Sequence, residues 1–124
     1  MNFIFIAIGG ALGSLLRYLL SNFIQFYFKS PLPLATISVN IIGSFLIGLC
    51  YYFAKNSEFF NENLKLFLII GLFGGFTTFS TFSLDILKLV EQNQLWTAFI
   101  YLSLSVFLSL VAVFVGYFIS KLFL

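Results

Sequence analysis

Gly71-Leu72-Phe73-Gly74-Gly75-Phe76-Thr77-Thr78-Phe79-Ser80-Thr81-Phe82-Ser83 lies inside an apolar segment running from about Leu64 to Val90. A helix needs about 20 mostly apolar residues to cross a bilayer, and this segment has them. Its centre is nonetheless poor helix. Two adjacent glycines precede two β-branched threonines and a cluster of hydroxyls that compete for backbone hydrogen bonds. Irregular backbone at membrane depth is tolerated only where it is buried in protein or lines a cavity. The stretch therefore predicts a helix broken mid-membrane, with free carbonyl and N–H groups of the kind transport proteins use to hold ions. The alternative is a continuous helix with a packed small-residue face.

Three further segments around it are long and apolar enough to span: about Phe3–Phe28, Leu34–Ala54 and Leu95–Leu122. Lys29-Ser30-Pro31-Leu32-Pro33 separates the first two, because proline removes donors and disfavours helix in the residue before it. Lys55 to Asn63 is the one strongly polar loop, and Glu91-Gln92-Asn93-Gln94 is a short turn before the last segment. The fold expected is an all-α membrane protein, a single domain over residues 1–124 with four transmembrane helices. Long apolar runs without regular alternation do not suit a barrel.

Composition agrees. Of 124 residues, 61% are hydrophobic and 8% charged, against about 25% charged in a soluble domain. A chain this short has too little interior to hide so much apolar surface from water. The net charge of +2 is too small to point to nucleic acid. With no His and one Cys, Cys50, a disulfide within the chain and a Cys/His metal site are both excluded. Cys50 sits in an apolar run and reads as a small buried hydrophobe. The N-terminus does not read as a signal peptide. It has no Lys or Arg before the first apolar run, which continues past Arg17 to Phe28.

Four spans place both termini and the Lys55–Asn63 loop on one side, with Lys55, Lys65 and Lys121. The other side carries Lys29 and Lys88, with Arg17 inside the first helix nearer that end. Basic residues set orientation, and here they are nearly balanced. Either a subtler signal fixes one orientation, or the chain inserts both ways round.

Polar groups in lipid are costly unless satisfied, so they face protein or a water-filled path. The first helix has Gly9, Gly13 and Arg17 at intervals of four. The glycines suit close helix packing. Arg17 can snorkel, bind an acidic partner or attract an anion. The second helix has Thr36, Asn40, Ser44 and Gly48, again four apart, with Gly43 beside them. Asn40 offers two amide donors, for an interhelical hydrogen bond or for a permeant. The fourth helix has Thr97, Tyr101, Ser105 and Ser109 at the same spacing. Phe79 and Phe82 are three apart and share a face. Ring edges are electropositive and attract an anion without a fixed charge, although such a pair also serves plain packing.

Three helices thus present neutral donors, and the one full charge in mid-segment is positive. A cation path shows inward carboxylates. Here Glu58, Glu62 and Glu91 lie in loops and Asp85 near the end of the third segment. The pattern points to a small anionic permeant that accepts strong hydrogen bonds.

Gly9 to Tyr18 (GGALGSLLRY), Val39 to Phe45 (VNIIGSF) and Gly74 to Phe82 (GGFTTFSTF) together resemble the Fluc (CrcB) family of fluoride channels, and the likeness covers all four helices. The resemblance implies an antiparallel, dual-topology homodimer in the inner (cytoplasmic) membrane. It would have two fluoride pathways, each lined by both subunits. It implies that Asn40 lines the pathway, that Phe79 and Phe82 meet fluoride with their ring edges, and that Tyr101, Ser105 and Ser109 form a polar track. Ser80 and Thr81 join the pathway as part of the same motif. Arg17 would stand at a vestibule. A structural Na+ at the dimer centre would be held by backbone carbonyls of Gly74 and Thr77 and the same pair from the second subunit. The implied activity is passive electrodiffusion of fluoride out of the cytoplasm, relieving its toxicity, with no enzymatic reaction. Two other classes compete. A proton-coupled cation exporter needs an embedded carboxylate, and the first three segments up to Leu84 contain no acid. A non-transporting assembly protein would use the polar stripes only to join helices.

Overall fold

In the computed structural model, which describes residues 1–123, every regular element is helical. Helix α1 spans Asn2–Tyr27 and α2 spans Leu34–Asn56. The third segment is composite: α3 (Glu62–Lys65), a π-helical stretch (Leu66–Phe73), α4 (Gly74–Phe76) and α5 (Ser80–Glu91). Helix α6 spans Leu95–Phe123. Four spans are long and apolar enough to cross a membrane: α1, α2, Glu62–Glu91 and α6. This is a multi-pass membrane protein.

The boundaries follow local chemistry. Phe28 leaves α1 in an extended conformation just ahead of the Pro31–Pro33 break, where the Ser30 hydroxyl accepts from the Leu32 N–H at 3.1 Å. The third segment starts two residues before the expected Leu64, because the Asn61 side chain caps it, accepting from the Leu64 N–H at 2.9 Å. Helix α2 runs two residues past Ala54, and the Asn56 amide folds back on the Tyr52 carbonyl at 2.9 Å. Between α5 and α6 the chain turns through Asn93, which has a φ of 56°. Asn tolerates this left-handed conformation better than most side chains do.

Glycines hold the bundle together, as expected for Gly9 and Gly13. Both are buried where α1 crosses the π stretch, and the carbonyls of Phe67 and Leu72 occupy the space a side chain would need. The approach is reciprocal, since a Cβ on Gly75 would lie 2.7 Å from the Gly10 carbonyl oxygen. Helices α2 and α6 meet in the same way, with Gly48 against the Val113 carbonyl and Gly116 against that of Phe45. These contacts bring backbones together at a distance only glycine permits. The outward faces are apolar, with Phe3, Leu19, Phe107 and Leu122 all exposed, as suits lipid. A small core of Ile37, Phe82, Leu89, Ala98 and Tyr101 ties α5 to α2 and α6.

Candidate functional site

The third segment breaks between Phe76 and Ser80. Thr77 ends α4 by turning extended (φ −80°, ψ 159°). Its N–H and its hydroxyl both donate to the Phe73 carbonyl, at 3.0 and 2.8 Å. Thr78 then leaves the helical pattern altogether. Its N–H donates to Asn40 Oδ1 at 2.8 Å, and its carbonyl accepts from Asn40 Nδ2 at 3.0 Å. One side chain of α2 therefore holds both backbone polar groups of a single residue. One turn further along α2, Gly43 leaves the room that the Thr77 methyl fills. Beyond the break, the Thr78 hydroxyl accepts the Thr81 N–H at 3.1 Å and lies 3.3 Å from the Ser80 hydroxyl.

These substitutions leave two carbonyls without donors. In an uninterrupted helix each N–H bonds the carbonyl four residues back, so Thr78 would serve Gly74 and Thr81 would serve Thr77. Asn40 and the Thr78 hydroxyl take those N–H groups instead. Among the described residues, neither Gly74 nor Thr77 then has a hydrogen-bond donor on its carbonyl. Gly74 is also exposed and has open space beside it, its nearest atom for an added Cβ being the Ile69 oxygen at 3.6 Å. Free carbonyl oxygens are the donor type hard cations take, so the chemistry of this pair fits a Na+ ligand set.

Beside the break runs a groove of about 430 Å³ lined by Asn40, Ser44, Phe79, Phe82, Ser105 and Ser109. The structure thus brings together residues from three helices that the sequence marked separately. The Ser105 hydroxyl is buried and has no hydrogen-bond partner, alone in this among the buried side-chain polar atoms of the described residues. Phe79 and Phe82 stack at a tilt of 50° with centroids 5.5 Å apart. They differ in setting: Phe82 is 7% exposed and packs on Tyr101, whereas Phe79 is 77% exposed. Of the two amide protons on Asn40, one is already held by Thr78, so one remains for the groove.

Tyr101 does not join this groove. It is fully buried, and its hydroxyl donates to Asp85 Oδ2 at 3.0 Å, the same oxygen that accepts from Thr36 at 2.7 Å. Ser80 and Thr81 are exposed at the start of α5, and Thr81 faces a second cavity. That cavity, about 730 Å³, lies toward the Lys29 end of the bundle and is lined by Arg17, Lys29, Thr36, Asp85 and Lys88. Arg17 therefore lines a polar cavity rimmed by cations. Asp85 lines the same cavity, but its hydrogen bonds go to Thr36 and Tyr101, and among the described residues it makes none with Arg17. Sequence reasoning placed Asp85 near the end of the third segment without its partners, and took Thr78 only as part of the motif. A single acid in a long apolar run was the available signal for the first. The second acts through its backbone, which no residue type announces.

The chain matches the family described as CrcB-like protein, Camphor Resistance (CrcB), over residues 4–117. It belongs to the CrcB family. Named relatives make the membership concrete. A protein of Flavobacterium psychrophilum named fluoride-specific ion channel FluC is 47% identical, over 94% of this chain and 94% of its own. Proteins of the same name from Parabacteroides distasonis and Helicobacter pylori strain G27 are 44% and 41% identical, over 92% and 99% of this chain and 88% and 97% of theirs. CrcB membership thus extends across all four spans, including the broken segment and the Gly-lined crossings.

Proposed function

We propose that this protein is a fluoride-selective channel that lets cytoplasmic fluoride leave by passive electrodiffusion. The observation that carries this reading is the buried, unpartnered Ser105 hydroxyl in a groove shared with Asn40, Ser109 and the Phe79–Phe82 pair. A buried polar group without a partner is costly, and a hydrogen-bond-accepting anion passing along the groove would supply one. Fluoride is small and accepts strong hydrogen bonds, so hydroxyl and amide donors replace its water well. Chloride is larger, accepts weaker ones and is excluded. Electropositive ring edges add attraction without trapping the ion on a fixed charge. Arg17, Lys29 and Lys88 draw anions toward one mouth.

The working unit is an antiparallel, dual-topology homodimer in the cytoplasmic membrane. Two features support it. The groove lies open along the flank of one subunit, with Phe79 exposed beside it. Basic residues are balanced between the two ends of the bundle, with Lys55, Lys65 and Lys121 opposite Lys29 and Lys88. A second subunit closes the groove and makes two pathways per dimer. It also doubles the free carbonyls of Gly74 and Thr77 to a set that would hold a structural Na+. Hydrogen fluoride crosses membranes neutral, ionises in the less acidic interior and is trapped, and this channel returns the anion.

The test is fluoride efflux from liposomes containing the purified protein, read with a fluoride electrode beside a parallel chloride assay. Fast fluoride loss without chloride loss, and with no proton gradient, is the expected result. No fluoride loss from well-folded dimers overturns the proposal and leaves the polar stripes as helix contacts.

A further inference from the structure

We infer that Asn40 is the residue that creates the cation site at the helix break, in addition to lining the groove. This rests on the channel reading above and assigns Asn40 a positioning role within it. Gly74 keeps a free carbonyl only because its helical donor, the Thr78 N–H, is held by Asn40 Oδ1 at 2.8 Å. The second contact, from Asn40 Nδ2 to the Thr78 carbonyl at 3.0 Å, fixes the orientation of the same residue. Each amide atom of Asn40 thus has a separate duty. Oδ1 withholds a donor from Gly74, and Nδ2 steadies the break while offering its other proton to the groove. Without Asn40, the buried Thr78 N–H must find another acceptor. The Gly74 carbonyl, four residues back and otherwise without a donor, is the helical one. The helix would then run on through the break and cover one of the two cation ligands.

Two functions therefore meet on one side chain. A cation resting on the Gly74 and Thr77 carbonyls favours the broken backbone, and the broken backbone is the form in which Asn40 faces the groove in its observed orientation. Whatever lowers the fraction of molecules with the break intact lowers the apparent cation affinity by that fraction.

The inference is tested by measuring how thermal unfolding of the purified dimer depends on Na+, titrated against N-methylglucamine at constant ionic strength. Asn40→Ala should raise the Na+ concentration at half-maximal stabilisation by roughly tenfold, the scale of one regained hydrogen bond. Asn40→Asp keeps an oxygen for the Thr78 N–H and loses the amide donor. It should retain a Na+ midpoint at or below that of the wild type while fluoride efflux falls. Ser109→Ala, which touches the groove but not the break, should keep the wild-type Na+ midpoint. An Asn40→Ala protein with the wild-type midpoint overturns the inference, as does loss of the Na+ response in Asn40→Asp. Should Asn40→Ala not fold, Asn40→Asp decides alone. A wild-type protein whose stability ignores Na+ overturns it too. Absence of fluoride efflux from a wild type that does respond to Na+ would instead remove the channel reading.

Discussion

Tyr101 and Asp85 are joined by a hydrogen bond of 3.0 Å from the phenol to a carboxylate oxygen that Thr36 also contacts, so one acid links α2, α5 and α6. Sixteen residues separate the pair. The contact fixes the rotation of α5 just beyond the break and removes Tyr101 from the groove residues.

Tyr101→Phe keeps the ring packed on Phe82 and deletes this bond. A hydrogen bond to a charged group contributes about 1.5–3 kcal/mol, so unfolding of the variant in detergent should shift by that order. Thr36→Val should act similarly. The two losses should not add, because they share an acceptor. Additive losses would show that the shared oxygen is unimportant.

Ser105→Ala separates a permeation role from a structural one. The hydroxyl has no partner in the protein, so its removal should leave stability unchanged or slightly raised. Fluoride efflux should fall nonetheless. A marked loss of stability would mean that Ser105 holds the fold.

Phe79→Ile and Phe82→Ile should each abolish or sharply reduce fluoride efflux while the dimer stays intact. Phe79 is exposed and Phe82 buried, so the first should leave thermal stability nearly unchanged, whereas the second removes core packing as well. Unchanged efflux in both variants would sink the ring-edge proposal.

Glycine variants divide by what surrounds them. Gly48→Ala and Gly116→Ala force a methyl against the Val113 and Phe45 carbonyls. Such overpacking costs typically about 1–3 kcal/mol, and these variants should fold poorly. Gly74→Ala has room within its own subunit. It should preserve the helical circular dichroism of the subunit and weaken dimer association in detergent. A stable Gly74→Ala dimer would place the subunit contact elsewhere.

The amino-acid sequence by itself determined the membrane class and the four spans, because apolar length and proline breaks act locally. It also marked the stretch from Gly71 to Ser83 as weak helix, since adjacent glycines and clustered hydroxyls weaken a helix wherever they occur. The spacing-by-four stripe of the first helix correctly marked Gly9 and Gly13 as contact residues, since a helix brings such positions onto one face. The stripes could not say what each polar group meets. Asn40 and Tyr101 look equivalent as donors on regular ladders, yet one grips the Thr78 backbone and the other an acid. That difference comes from how α2, α5 and α6 are rotated against one another, the close Gly48–Gly116 crossing fixing α2 against α6. The freed carbonyl of Gly74 likewise depends on its donor, the Thr78 N–H, being captured by a residue of another helix, 38 residues away in the chain. Local sequence determined where the backbone was weak, and only tertiary packing decided which of its hydrogen bonds were given up.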